Sequence, residues 1–170
     1  MFPTITYDRS ARQYRVQDTT TGEIEVFPAG CKIEAQRYAV AMSNPRLTRI
    51  IREELLEKRP FLEARAWKAA EIVLNDGVAP ADGLYFAYVA GSNDTYALGH
   101  DADGLMTCTC PDFTGFGAPV ADMRGQRLCK HLLAHQLYHR LQKRRCYHCS
   151  KLVDVDAETC PLCGEVVTPY

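Results

Sequence analysis

The stretch Cys108-Thr109-Cys110-Pro111-Asp112-Phe113, followed by Cys129-Lys130-His131-Leu132-Leu133-Ala134, organises the reading of this 170-residue chain. The run Leu105–Cys110 has the pattern of a strand, where side chains two apart share a face, so the sulfurs of Cys108 and Cys110 aim at one point. Cys129 stands at the start of a helix expected from Leu128 to Arg145. Exposed amides and the positive dipole end stabilise a thiolate there. Cys108, Cys110, Cys129 and His131 form the donor set of a closed tetrahedral zinc site, a structural centre with no open position for catalysis.

Further along lie two Cys-x-x-Cys pairs, Cys146/Cys149 and Cys160/Cys163. Each pair wraps a tight turn whose amides can donate to sulfur, and the four thiols complete a second tetrahedron. Gly164 follows the last of them and permits a left-handed turn. A rubredoxin-type iron centre uses the same ligands, and a redox dithiol uses one Cys-x-x-Cys. Charged surroundings and the ligand type favour zinc, so two zinc ions are expected. Seven of the eight cysteines fall within 108–163, which suits metal ligation in a reducing compartment better than disulfides. His135 and His139 continue the stripe from His131 and are read as a half-exposed helix face.

Residues 84–142 resemble the SWIM zinc-finger family, in the Cys-x-Cys-Pro-x-Phe element and the Cys-Lys-His-x-x-Ala run quoted above. The resemblance implies a strand–strand–helix zinc module that binds DNA or another protein. Such modules are attached to transposases, chromatin remodellers and recombination factors, so it specifies no chemistry. Residues 145–167 resemble a zinc ribbon, which implies a small metal-stapled scaffold.

Upstream, Ile5/Tyr7, Tyr14/Val16 and Ile24/Val26 alternate with polar neighbours and predict three strands, followed by a helix from Lys32 to Met42 with Ile33, Ala35, Tyr38, Ala39 and Met42 on one side. Residues 4–43 resemble the amino-terminal DNA-binding units of phage-type integrases in Tyr7, Tyr14-Arg15-Val16, Thr21-Gly22 and the passage from Phe27 to Ala41. That resemblance implies a sheet in the major groove, with Arg12, Tyr14 and Arg15 as contacts. A plain α+β unit explains the same pattern. Pro45 and Pro60 start two further helices, carried by Leu47, Ile50, Ile51, Leu55 and Leu56, and by Leu62, Ala66, Ala69, Ala70 and Val73. Trp67 anchors this layer, and Asn75-Asp76-Gly77 closes it with a left-handed cap.

The expected whole is an α+β chain in four parts. These are a three-strand-plus-helix unit at 1–43, a helical hairpin at 44–77, a SWIM-like zinc finger at 84–143 and a zinc ribbon at 144–170, with a domain boundary at 78–83.

Net charge is −1, but Met123–Val153 holds eight bases and no acid, leaving the remainder at −9. Arg124, Arg127, Lys130, Arg140, Lys143, Arg144, Arg145 and Lys151 are therefore the expected contacts to nucleic acid, DNA foremost. A protein partner in a larger complex is the alternative. No phosphate loop, nucleophile elbow or His-Glu-x-x-His helix is present, and Asp101 and Asp103 read as a turn, so a non-catalytic role is expected. No run is apolar enough for a bilayer and no secretory leader is evident, which places the chain inside a cell and off the membrane.

Overall fold

The computed structural model describes residues 2–115, 117–146 and 148–167, with the side chain of Arg144 outside the description. Mixed α+β architecture follows from the pattern changes along the chain. Strands β1 (Thr4–Asp8), β2 (Gln13–Gln17) and β3 (Ile24–Pro28) form an antiparallel meander in the order β1-β2-β3. Asp8 and Asp18 make the turns, each accepting from backbone amides two and three residues on.

Helix α1 (Lys32–Ser43) packs on this sheet, with Val16, Ala35 and Ala39 as a small core. Its buried face is Ala35, Gln36, Ala39 and Val40, whereas Tyr38 and Met42 point outward. This corrects the apolar face expected from the pattern: small residues let α1 approach its neighbours closely, and Gln36 is tolerated inside because its amide donates to Glu71 at 3.3 Å.

Pro45 opens α2 (Pro45–Arg49), capped by the Asn44 side chain at the Leu47 amide. The expected α-helix then widens into π-helical turns over Ile50–Leu56, where the Glu57 amide reaches back five residues to the Arg52 carbonyl. After a 3₁₀ turn at Pro60–Leu62 comes α3 (Glu63–Leu74), burying Ala66, Trp67, Ala69, Ala70 and Val73 as expected. The left-handed residue after α3 is Asp76 (φ 54°) and not Gly77. Glycine at 77 answers a different need, because a Cβ there would sit 2.8 Å from the Ile72 side chain and 3.2 Å from Ala90.

The boundary stretch 78–83 begins with strand β4 (Val78–Pro80). With β5 (Ala87–Ala90), β6 (Thr95–His100) and β7 (Met106–Cys108) it makes a four-stranded antiparallel sheet in chain order. One hydrophobic core runs from Val40 and Leu47 through Trp67 and Leu98 to Leu128, Leu132 and Leu137, so the helical layer and the second sheet are packed as one body.

The helix expected from Leu128 to Arg145 is shorter. After a four-residue helix α4 (Pro111–Thr114), α5 spans Lys130–Leu141 and packs chiefly on α3. Lys143–Arg145 is instead strand β8, paired with β9 (Leu152–Asp154). Lys and Arg suit a helix by propensity, but the cross-strand ladder set up by the first cysteine knuckle wins here. Among the described residues no helix is long and apolar enough to cross a membrane.

Candidate metal centres

Strand β7 ends at Cys108, and Cys110 begins the Pro111 helix, donating its amide toward the Cys108 sulfur at 3.4 Å. Cys129 occupies the cap of α5 with extended backbone, one turn before the apolar face of that helix. His131 Nδ1 lies 3.8 Å from the Cys108 sulfur and 4.0 Å from that of Cys129. All four side chains are buried, and their ligand atoms lie within 4.8 Å of one another. The His131 ring packs on Tyr96 with centroids 4.6 Å apart, and its outer nitrogen Nε2 is buried with no hydrogen-bond partner.

The thiols are not equivalent. Donation from the Cys108 thiol, then from His131 and the amides of Leu132 and His131, pulls Cys129 down to about 4 despite its burial. Cys108 is pushed up by its hydrogen bond to Cys129 and by burial, and Cys110 is pushed up by burial and by the Cys129 charge. A buried cluster that gathers one thiolate and raises the next is what closely packed sulfurs do until a cation neutralises them.

The loop 111–128 that separates the two halves of this group is tied down by polar contacts the sequence did not disclose. Gln126 is buried, and its side chain pairs with both the amide and the carbonyl of Met106, extending the edge of β7. Arg65 donates to the Gly117 carbonyl and Arg59 to the Ala121 carbonyl. Phe113 packs beneath the Arg127 guanidinium, 4.8 Å from its ring centroid.

In the second group the knuckles are near copies. The Ser150 amide donates to Cys146 and the Gly164 amide to Cys160, both at 2.9 Å, while the amides of Cys146 and Cys160 return to Lys151 and Glu165 at 2.8 Å. Gly164 has φ 74° as expected, and Ser150 takes the equivalent left-handed position at φ 56°. The sulfurs of Cys146 and Cys163 are 3.7 Å apart, as are those of Cys149 and Cys160. Amides of Cys149 and His148 lower Cys146, and those of Leu162 and Cys163 bring Cys160 to about 7. The Glu165 amide works in the same direction on Cys163, but burial and three neighbouring sulfurs hold it up at about 12. Both groups are thus compatible with a metal ion each.

His135 and His139 join neither group. Their Nε2 atoms are 3.0 Å apart, so one imidazole donates to the other. Burial, then the nearby His139 and His100, lowers His135 to about 4.

The eight bases do not form one stripe. Arg140 is bound in a two-pronged pair to Glu54, both contacts at 2.6 Å, and Lys143 pairs with Asp154. Arg127 donates to the Ala118 carbonyl, so it serves the loop. Arg124 and Lys151 are exposed, and Arg145, exposed too, donates to the Ser150 carbonyl at 3.1 Å. Lys130 lies at the other end of α5 from Arg140, and the Arg144 side chain lies outside the described residues. Of the eight, Arg140 and Lys143 are held by carboxylates, and Arg127 and Arg145 by backbone carbonyls. What does converge is a groove of about 730 Å³ between the helical layer and the ribbon, lined by Arg140, Lys143 and Arg145 together with Arg46 and Arg49, against Glu53 and Glu54.

In the first sheet Tyr14 shares the inner face with Val16 and pairs across to Tyr7, so it is turned away from the outer face that carries Arg15. A groove contact from Tyr14 through that outer face is therefore not available. The chain matches no family model, no curated protein and no solved structure.

Proposed function

We propose that this is a non-catalytic zinc protein whose metal centres hold a basic groove against nucleic acid. Zinc is favoured by donor chemistry. A tetrahedral ion with bonds of about 2.3 Å to sulfur separates its thiolates by about 3.8 Å, close to the 3.7 Å of two pairs in the second group. Four protein donors at each centre leave no place for a substrate, which argues for structure over catalysis. On this reading Cys108, Cys110, Cys129 and His131 belong to a SWIM-like module, and Cys146, Cys149, Cys160 and Cys163 to a zinc ribbon.

The observation that carries the nucleic-acid reading is the groove, where five cations meet two carboxylates. Arg46 and Arg49 come from α2, about a hundred residues before the bases that the sequence singled out, and the ribbon brings Lys143 and Arg145 to meet them. A phosphodiester backbone is the extended anion that such a groove suits, and DNA is the first substrate to test. A protein partner is the second reading, favoured by Leu162 and Val166, which stand 65% and 62% exposed on the ribbon.

Fluorescence anisotropy with a labelled duplex and a labelled single strand tests the proposal. With about four phosphates neutralised, raising salt from ~50 to ~200 mM lowers duplex affinity about a hundredfold. Arg49→Ala with Arg145→Ala reduces affinity and flattens the salt slope by about 0.9 for each phosphate no longer neutralised. Salt-independent binding, or full affinity in that double variant, contradicts the groove.

A further inference from the structure

A second cleft, of about 520 Å³, opens at the amino-terminal end of α5, between the first sheet, α1, α3 and the β5–β6 turn. It lies about 15 Å along the helix from Arg140, so it is separate from the basic groove. Lys32 enters it from the first turn of α1, Lys68 from α3 and Lys130 from the first residue of α5, and Glu71 is the one carboxylate among the lining residues. Among the described residues none of the three lysines is in an ion pair. Burial, then the like charges of Lys32 and Lys130, depresses the Lys68 pKa. Opposite them, Tyr7 is 45% exposed and its ring lies 4.8 Å from that of Tyr14, an aromatic face open to the same cleft.

We propose that this cleft binds a nucleotide, with its phosphate on Lys32, Lys68 and Lys130 and its base against Tyr7 and Tyr14. A phosphate dianion accepts hydrogen bonds from several ammonium groups at once. A bare inorganic anion would leave the tyrosine face without a partner, whereas any base has a flat π-face to stack there. The cavity lies within the range of small-ligand sites, about 300–1,000 Å³. Free nucleotide and the 5′-phosphorylated end of a strand share this chemistry.

Isothermal titration of the full zinc-loaded chain with ADP and with inorganic pyrophosphate tests it. ADP binds, Lys68→Ala weakens it about tenfold or more, and Tyr7→Ala weakens ADP while sparing pyrophosphate. Arg49→Ala with Arg145→Ala leaves ADP binding unchanged. A 5′-phosphorylated oligothymidylate that displaces ADP assigns the site to strand ends, and one that does not assigns it to free nucleotide. Zinc content and circular dichroism confirm that each variant is folded, and the exposed position of Lys68 leaves the core untouched. No binding of ADP or pyrophosphate at low salt, or unchanged affinity in a Lys32→Ala, Lys68→Ala double variant, overturns the proposal.

Discussion

Cys160→Ser unfolds the carboxy-terminal module and leaves the rest of the chain standing. The core of that module consists of Cys146, Val153, Cys160 and Val167, with Cys149 packed on it, so half of the buried core is candidate metal ligand. A segment of this size cannot bury enough apolar surface to fold unaided, and on the proposed reading a bound ion supplies its stability. Substituting serine removes one of four thiolates and leaves the others crowded around an incomplete shell. Hydrogen exchange reads the outcome. The amides of Cys146, Ser150, Cys160, Gly164 and Val167, which close the two knuckles, lose their protection, while those of α3 and α5 keep theirs. Protection retained through 145–167 in this variant would mean that the knuckles stand without metal.

Trp67→Ala produces the largest loss expected from any side chain outside the metal centres. The indole is fully buried where α3 meets the rest of the core, and Arg37, paired with Glu63, lies 5.7 Å over its ring. Removing it costs about 3–5 kcal/mol through lost transfer energy and the cavity left behind, against a domain stability of about 5–15 kcal/mol. Trp67→Phe costs less than its lost volume suggests, because the indole Nε1 is buried without a hydrogen-bond partner and phenylalanine removes that orphaned donor. Urea unfolding of the zinc-loaded protein, followed by circular dichroism, measures both. A loss below about 1 kcal/mol for the alanine variant would show that the core does not close around this residue.

The metal groups were the most legible part of the chain, because ligand chemistry is local. Cys108 ends β7 and Cys110 caps the short helix just after it, Cys129 and His131 share a helix start, and each Cys-x-x-Cys makes its own turn. The basic surface was less legible for the opposite reason. The partner of Arg140 is Glu54, 86 residues earlier, and no spacing rule discloses a pair at that distance. Lys32, Lys68 and Lys130 meet in one cleft only because α1, α3 and α5 pack together. The three-stranded meander was readable from its alternation, whereas the face of α1 was misjudged because burial there follows close approach by Ala35 and Ala39 more than side-chain hydrophobicity. Strand β8 was hidden inside a helix-favouring run, since its pairing with Leu152–Asp154 depends on the intervening knuckle.

Native mass spectrometry of the purified full chain is the most direct measurement of whether two sulfur-rich ion centres hold this fold together. The account predicts a compact species carrying two zinc ions per chain, with metal and compactness lost together when the protein is denatured in acid. A compact chain free of metal, one carrying iron, or one in which two of Cys108, Cys110 and Cys129 are joined as a disulfide would contradict it.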